Sequence, residues 1–382
     1  MERTRVAVIR CEDYDGDRVY AALSRGVDLL GGRGRFARSG ERILLKPNIL
    51  AGDPPEKGVT THPAVLSACI RLLLEAGASL SFGDSPGLEH PEQAARRSGL
   101  LAAGREGGAV LSDFSGGGPL ANVRGKAVDS FPIAQAVHEC DGMINLPKMK
   151  THQLTRITGA VKNLFGCIPG KRKALYHVQF QDVHAFSGLL VELAQVLQPR
   201  LHIMDGIIAM DGNGPRSGET RPVKALILSE DPVAVDATFC RLVGMDPEYV
   251  PTTTAGYRAG LGCYRLNDIE YVGDSIESLA CPDFRMIRKP VYGNASYAHY
   301  RFIKNLALPK PVIDVSLCVR CGRCVDACPV PDKALRFENG SKGQPPTYDY
   351  DMCIRCYCCH EMCPHRAIFK ATPLVGRLLR LG

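Results

Sequence analysis

Eight cysteines near the end of the chain form a tandem repeat, and this repeat constrains the fold of that region more than any other feature of the sequence. Each copy has the form Cys-x-x-Cys-x-x-Cys-x-x-x-Cys-Pro. The first copy begins at Cys318 and ends at Pro329, and the second begins at Cys353 and ends at Pro364. Closely spaced thiolates on a turn can surround one side of a metal cluster, and the proline turns the chain away from it. The region is therefore predicted to fold around bound metal.

Over residues 312–370 the sequence resembles the bacterial ferredoxins that hold two 4Fe-4S clusters. In that family the fourth cysteine of each copy ligates the cluster of the other copy. The resemblance therefore implies two 4Fe-4S clusters with crossed sets of ligands. One set is Cys318, Cys321, Cys324 and Cys363, and the other is Cys353, Cys356, Cys359 and Cys328. Zinc ions and disulfides are the alternatives, and two full copies with both prolines argue against them.

A pair of clusters indicates electron transfer, since a structural role needs only one cluster. The pair can pass single electrons or hold two electrons at once for a two-electron reduction. A structural role remains the alternative. Cys358, which stands beside Cys359 and outside the repeat, is predicted to be a spare thiol that faces away from the cluster.

Composition and charge exclude several classes of protein. The chain has 382 residues, enough for two or three domains of about 100–200 residues each. With 45% hydrophobic and 23% charged residues, it is not a disordered or fibrous chain. The 47 Lys and Arg against 40 Asp and Glu give a net charge of +7, which is too small and too dispersed to indicate binding to nucleic acid.

The sequence also predicts a cytoplasmic protein. Its first residues lack the apolar run of a signal peptide. The most apolar stretch, residues 64–82, is interrupted by Arg71 and Glu75 and has helical spacing, which favours an amphipathic helix over a transmembrane segment. In the cytoplasm cysteines stay reduced and tend to bind metal. The apolar and basic residues 373–381 are expected to pack on the protein and not on a membrane.

Upstream of the repeat, strand-like and helix-like segments alternate, which favours an α/β fold with an open, mostly parallel sheet and flanking helices. The predicted strands are residues 6–11, 43–46, 80–84, 142–146, 201–204 and 225–228. The predicted helices are residues 63–76, 90–103, 131–139, 182–197 and 232–243. We therefore expect an α/β domain over residues 1–290, a linker over 291–311, a small ferredoxin-like α+β domain over 312–370 and a tail over 371–382.

Polar side chains follow several predicted strands, at the end of the sheet where such folds bind ligands. They suggest a cleft lined by Lys46, Asn48, Asp84, Lys148, Lys150, His152 and Asp205. Lys148, Lys150 and His152 alternate, so on an extended segment they would point to one face. Three such groups together favour a bound anion, and a solvated loop is the alternative. Lys162 is a further candidate for the same site, or an exposed helix residue.

The remaining candidates concern protons, thiols and nucleotides. His177 is a candidate proton donor, because histidine titrates near neutral pH. Cys167 lies beside Lys171, Arg172 and Lys173, whose charge would favour a thiolate, although a small buried residue is the ordinary role. Since neither a P-loop motif nor a dinucleotide-binding glycine motif occurs, ATP and nicotinamide cofactors have no support, while flavin stays open.

The upstream motifs resemble the family known as domain of unknown function 362, over most of residues 1–245. They are Lys46-Pro47-Asn48, Thr61-His62-Pro63, Gly83-Asp84-Ser85, residues 145–152 and 159–166, Met204-Asp205-Gly206 and residues 231–236. Members of that family often carry a ferredoxin-like tail. The resemblance therefore implies an α/β fold in a redox context and names no substrate.

The leading hypothesis is an iron–sulfur oxidoreductase. Electrons from an external ferredoxin-like donor would pass through the clusters to a small anionic substrate in the α/β cleft. Lys148 and Lys150 would hold the anion, and His152 or His177 would supply the proton. The alternatives are an electron-transfer or maturation partner without chemistry of its own, and a non-redox enzyme with structural clusters. The sequence leaves the substrate, the donor and the oligomeric state undetermined.

Overall fold

A large sheet organises the first part of the chain in the computed structural model, which describes residues 3–123, 125–291 and 301–379. Ten strands of the described residues join in this sheet. They are β1 (Thr4–Arg10), β2 (Arg42–Pro47), β3 (Ser79–Phe82), β4 (Val110–Leu111), β7 (Gly142–Leu146), β8 (Lys148–His152), β9 (Arg156–Thr158), β10 (Leu201–Asp211), β11 (Glu219–Ser229) and β12 (Ile269–Gly273), while β5 (Gly117–Ala121) and β6 (Ser130–Ala134) form a separate hairpin.

The strand order of the sheet is β12-β1-β11-β10-β7-β2-β3-β4, with β8 and β9 attached beside β10. The pairs β12–β1, β10–β7, β7–β2, β2–β3 and β3–β4 are parallel. Only the pairs that β11 makes with β1 and β10 are antiparallel along this path. The predicted open and mostly parallel α/β sheet is therefore confirmed.

Helices cover both faces of the sheet. The α-helices of this part of the chain are α1 (Gly16–Leu29), α2 (Pro63–Leu74), α3 (Pro91–Arg97), α4 (Leu100–Glu106), α5 (Gln135–Glu139), α6 (Ala160–Asn163), α7 (Arg172–Gln179), α8 (Val183–Leu197), α9 (Pro232–Leu242) and α10 (Pro251–Arg258). On β1, Ile9 packs in the cluster that contains α1 and α2, whereas its neighbour Val8 packs in the cluster that contains α9. Burial on both faces explains why the strands are almost continuously apolar.

Two predicted helices differ from the structure. The helix expected over residues 90–103 is divided at Gly99, whose φ of 75° ends α3 and begins α4. The helix expected over 131–139 is wrong in its first half, where residues 130–134 form β6 and pair with β5. Pro132 has no backbone N–H for a helix, and a strand tolerates it at a position that needs no donor.

The cysteine-rich part of the chain forms a second, smaller unit. Its strands and helices are α11 (Arg301–Ala307), β13 (Lys310–Ile313), α12 (Arg323–Asp326), β14 (Leu335–Arg336), β15 (Thr347–Tyr348), α13 (Cys358–Met362), β16 (Ile368–Ala371) and α14 (Leu374–Leu378). β13 pairs with β16 and β14 pairs with β15, both antiparallel. This is the small α+β unit that the ferredoxin resemblance implies.

The segments on either side of this unit carry more structure than the sequence predicted. Residues 292–300 of the predicted linker lie outside the described residues, but its later part forms α11. In the predicted tail, α14 packs on α11 at Gly376, where a Cβ atom would collide with the carbonyl of Ala307. Leu374 and Leu378 stay 73% and 77% exposed. The expectation that the tail packs on the protein is thus wrong for these two leucines.

Within residues 3–123, 125–291 and 301–379, none of the helices combines the length and the apolar character that a membrane crossing requires.

Candidate functional site

The two cysteine loops have matching backbone conformations. In the first loop Arg320 and Gly322 have φ of 57° and 87°, and in the second loop the equivalent Arg355 and Tyr357 have φ of 60° and 62°. Left-handed residues that alternate with ordinary ones turn successive N–H groups into one concavity, which favours a negatively charged group. For Tyr357 this conformation costs about 1–2 kcal/mol, and its side chain is held by burial and by a 3.1 Å hydrogen bond to the Pro309 carbonyl.

All eight cysteines of the repeat are free thiols, and the structure brings one of the two predicted ligand sets together. One small pocket is lined by the first ligand set, Cys318, Cys321, Cys324 and Cys363. Of the second set, Cys328 packs with Cys353 in one buried cluster, whereas Cys359 packs with Cys324 and Cys363 of the first set. Thiolate donors around pockets of inward-facing amides fit iron–sulfur clusters. Tyr357 has a left-handed backbone conformation because it occupies, in the second loop, the position that Gly322 takes in the first.

A cavity of about 320 Å³ lies between the α/β part and the cysteine-rich unit. The α/β part contributes the segments that follow β2 and β3, the middle and end of β8, and the segment from α6 to α7. The cysteine-rich unit contributes residues 326–329 together with Cys358, Glu361 and Met362. Cys328, a member of the second ligand set, therefore borders the same cavity as the polar side chains of the sheet.

Six of the nine candidate residues in the α/β part line this cavity. They are Asn48, Asp84, Lys150, His152, Lys162 and His177. The other three, Lys46, Lys148 and Asp205, do not line it. Lys46 lies just behind the wall, where its Nζ is 2.7 Å from the carboxylate of Asp84.

Lys148 and Asp205 form a buried ion pair, which corrects the prediction that they belong to the cleft. Their charged atoms lie 2.7 Å apart, and the two side chains are 1% and 0% exposed. The hydroxyl of Tyr14 donates to Asp205 at 2.8 Å and accepts from Lys148 at 2.7 Å. The ammonium group of Lys148 therefore has its hydrogen-bond and charge partners inside the protein, and it does not hold a ligand in the cavity.

Lys150 is fully buried and has two hydrogen-bond acceptors. Its Nζ donates to the side-chain oxygen of Asn48 at 2.7 Å and to the Val59 carbonyl at 2.6 Å. Burial, followed by the charges of Lys162 and Lys148, lowers the pKa of Lys150 to about 7. Two acceptors satisfy two of the three donors of an ammonium group, so one position on this nitrogen is left for a ligand.

His152 contacts a carboxylate that the cysteine-rich unit supplies. Its Nδ1 accepts from the backbone N–H groups of Leu154 and Thr155 at 3.0 and 3.3 Å. The ring proton must therefore sit on Nε2, which lies 2.8 Å from Oε1 of Glu361. Burial lowers the pKa of His152 to about 4, so the ring is neutral near pH 7. The arrangement fixes both the tautomer and the orientation of the ring.

His177 lies on α7 at the wall of the cavity. Its ring stacks on Phe186 at a centroid distance of 4.4 Å and meets the edge of Phe165 at 5.8 Å. Burial lowers the pKa of His177 to about 4 as well. The cavity thus holds two neutral imidazoles and several lysines.

Sequence reasoning missed two groups in the cavity, Lys173 and Glu361. Lys173 donates to the carbonyl and hydroxyl of Ser85 at 2.8 and 2.7 Å and to the Ile168 carbonyl at 2.9 Å. Burial lowers its pKa to about 7. The sequence suggested that the positive charge of Lys173 could favour a thiolate at Cys167. Instead Cys167 is fully buried and burial raises its pKa to about 12, which gives it the ordinary structural role.

A buried network holds Glu361 against the α/β part. The guanidinium of Arg216 lies 2.7 Å from the carboxylate of Asp53 and donates to the Met362 carbonyl at 3.0 Å. Asn213 pairs with the His360 ring at 2.9 Å and donates to the Ile368 carbonyl at 3.1 Å. Contacts on both sides of Glu361 therefore fix α13 on the loop that follows β10.

Two family models match this chain. One, described as a domain of unknown function (DUF362), matches residues 43–241. The other, described as a 4Fe-4S dicluster domain, matches residues 307–367. The second match supports iron–sulfur cluster binding by the cysteine-rich unit.

One curated relative and two solved structures show how far similarity extends. The thylakoid-associated protein sll1697 of Synechocystis sp. is 36% identical over 257 residues, which are 67% of this chain and 79% of the relative. The lactate racemase apoprotein of Thermoanaerobacterium thermosaccharolyticum has a TM-score of 0.41 at 13% identity and covers 64% of this chain. A Thermotoga maritima protein has a TM-score of 0.34 at 12% identity over 66% of this chain. The chain spans only 57% and 61% of those two structures.

Proposed function

Because this chain belongs to the DUF362 family and carries a ferredoxin-type 4Fe-4S domain, we propose that it is an iron–sulfur oxidoreductase that reduces a small anionic substrate. The substrate would bind in the cavity between the α/β part and the cysteine-rich unit. One observation carries this proposal: Cys328, a predicted cluster ligand, lines the same cavity as Lys150, Lys162 and two histidines. A substrate bound there would lie between an electron source and proton donors.

The cofactors of this proposal are two 4Fe-4S clusters, each held by one of the two cysteine sets, and an external ferredoxin-like protein would supply the electrons. When bound, the clusters supply electrons one at a time. Glu361 stands between Cys359 and Cys363, one member of each set. Its contact with His152 connects the cluster loops to the polar end of the cavity.

In the proposed reaction the side chains of the cavity bind the anion and supply protons. Lys162 and Lys150 would pair with the anionic group and stabilise negative charge that develops as electrons arrive. His177 or His152, both neutral in the free protein, would donate a proton to the reduced substrate only after the bound anion raises the pKa of the ring and the ring takes up a proton. His177 is the better candidate of the two, because Nδ1 of His152 accepts from two backbone N–H groups and cannot carry a second proton while it does so.

The reoxidation of the reduced protein by cavity ligands tests this function. Anaerobically purified protein is reduced, freed of excess reductant and mixed with anions that raise its melting temperature. We expect at least one stabilising anion to restore the absorbance of oxidised clusters, and Lys162→Met to require a higher concentration of it. Lys126→Met, a change of the same charge at an exposed residue outside the cavity, serves as the control. If bound anions stabilise the protein and never reoxidise it, a carrier or maturation role replaces this proposal.

The affinity for an anion is expected to fall as the pH rises above about 7. A bound anion favours the ammonium form, so it raises the pKa of Lys150 above its value of about 7 in the free protein. Below about pH 7 the Lys150 side chain is charged in both the free and the anion-bound protein. Above that pH it is neutral in the free protein, so binding of the anion requires the uptake of a proton. Lys173, whose pKa is also about 7, would titrate in the same range.

Calorimetric binding measurements from about pH 6 to about pH 9 check this prediction. The charges near Lys150 are those of Lys162 and Lys148, which lower its pKa, and of Glu361 and Asp53, which raise it. The Lys150→Met variant should bind the anion more weakly than the unchanged protein at about pH 6. Its affinity should also fall less as the pH rises. Affinity that is constant across the range would show that Lys150 does not act in binding.

A further inference from the structure

Resting on the proposed function, we infer that the substrate is a monocarboxylate with a sizeable apolar body, and not a small inorganic anion or a dicarboxylate. Three features of the cavity favour such a substrate: the number of cations that are free to bind an anion, the apolar walls and the volume.

Most lysines of the cavity are already engaged. Lys173 has three acceptors around its ammonium group. Lys333 is held on the cysteine-rich unit, where it donates to the Cys328 carbonyl at 2.6 Å and to the Asp326 carbonyl at 3.4 Å. Lys162 is different: its ammonium group has no hydrogen bond and no ion pair within 4 Å among the described residues, although Lys162 lines the cavity and is only partly exposed. It is therefore the cation best placed to receive an anionic group.

Lys162 also stands at the centre of the polar end of the cavity. Its charge affects the pKa values of Lys150, His152, His177 and Glu361. An anion on Lys162 would therefore lie near both imidazoles and the remaining donor position of Lys150. Glu361 carries the opposing charge there, and its carboxylate contacts His152. The charges of Lys150 and Lys162 exceed that of Glu361 by one, so one added anionic group balances these three side chains.

The rest of the lining provides little for a second carboxylate. Lys171 also borders the cavity but is exposed to solvent, where an ion pair adds only about 0–1 kcal/mol. Asp326 adds negative charge to the wall, while the carboxylate of Asp84 is neutralised by Lys46 behind it. A dicarboxylate would thus place one carboxylate without a buried cationic partner.

Apolar side chains from both parts of the molecule form the remaining walls. Leu50 of the α/β part packs with Ala327 and Met362 of the cysteine-rich unit, and all three line the cavity. Ala51 belongs to the same cluster but lies behind the wall. At the mouth, Leu88 and Leu175 are 36% and 65% exposed. A ligand with an apolar body would cover these side chains and remove their surface from water, which stabilises the complex.

The volume also argues against a small ion. A cavity of about 320 Å³ has room for about ten waters at ~30 Å³ each. Acetate or phosphate on Lys162 would leave most of the apolar lining in contact with water. A longer monocarboxylate would fill that space and keep its charge at the polar end.

Binding of a homologous series to the cluster-loaded protein tests the inference. The probes are linear monocarboxylates from acetate to octanoate and dicarboxylates of the same lengths, measured by calorimetry. Each added methylene of a monocarboxylate is expected to tighten binding about fourfold until the cavity is full. Each dicarboxylate is expected to bind more weakly than the monocarboxylate of equal length. Affinity that does not change with chain length, or tighter binding of the dicarboxylates, would overturn the inference.

Two variants separate the polar from the apolar contribution. Lys162→Met is expected to weaken the binding of every monocarboxylate by about tenfold or more. The increase in affinity for each added methylene should stay the same. Leu175→Ser is expected to weaken only the longer chains. Its control is Leu266→Ser, because Leu266 is similarly exposed at 60% but lies outside the cavity. Equal effects of the two serine variants would contradict an apolar body at this mouth.

The inference and the proposed function can fail separately. If dicarboxylates bind more tightly and reoxidise the reduced protein, the inference is wrong and the oxidoreductase proposal stands. If long monocarboxylates bind as expected and none reoxidises the protein, the binding chemistry stands and the oxidoreductase proposal is wrong.

Discussion

Replacing Cys359 by alanine is expected to remove about half of the bound iron, since this change takes one ligand from one of two four-cysteine sets. Alanine offers no donor atom in place of the thiolate, and Cys359 is buried among other cysteines and Tyr348. The other ligand set keeps all four of its cysteines. The expected product has about four irons per chain in place of about eight, measured by iron analysis of anaerobically purified protein.

The adjacent Cys358 provides a matched control for that experiment. It is next in the chain and also a thiol, but it lines the cavity and stands outside the repeat. Cys358→Ala is expected to keep the full iron content. If Cys358→Ala loses iron and Cys359→Ala does not, the ligand assignment is wrong. Circular dichroism of both variants shows whether the α/β part remains folded.

Replacing Asp205 by asparagine is expected to lower the free energy of unfolding by about 3–5 kcal/mol. Asparagine keeps the shape of the side chain but removes its charge, which leaves the buried ammonium of Lys148 without a counter-ion. Asp205 also accepts from Tyr14 at 2.8 Å and from the backbone N–H of His62 at 3.0 Å. Urea unfolding followed by circular dichroism measures the loss.

The same variant distinguishes a structural from a ligand-binding role for this ion pair. Asp205 and Lys148 lie outside the cavity, so Asp205→Asn is expected to bind monocarboxylates about as well as the unchanged protein while it remains folded. Glu92→Gln is the stability control, because the Arg96–Glu92 pair is exposed and should contribute less than about 1 kcal/mol. A stability loss no larger than that of Glu92→Gln would contradict the account of this pair.

The fold could be predicted from the sequence wherever a pattern depended on local chemistry. The cysteine spacing predicts two metal-binding loops because closely spaced ligands reach one cluster, and the ferredoxin resemblance implies how the fourth cysteines are shared between them. The buried strands β2 and β7 each contain a short apolar run, so they were predicted close to their observed bounds. The boundary between α3 and α4 depended on one glycine at φ 75°, which periodicity cannot reveal.

The candidate site was harder to predict because its partners are distant in sequence. The alternation of Lys148, Lys150 and His152 placed three groups together, yet each meets a different neighbour. Lys148 meets Asp205, while His152 meets Glu361, which is 209 positions further along the chain. Glu361 occupies a spacer position between two cysteines, where the sequence gives no signal. Only the packing of one unit on the other reveals that this carboxylate belongs to the cavity.

In the proposed function the cavity holds its ligand beside the cluster of the second cysteine set. Electron paramagnetic resonance of the reduced protein, recorded with and without the tightest monocarboxylate, tests it most directly. Cys359→Ala identifies the signal of that cluster, because the signal should vanish in this variant. We predict that the ligand changes this signal and leaves the signal of the first set unchanged. A ligand that binds at saturation and changes neither signal, or only that of the first set, would contradict the claim.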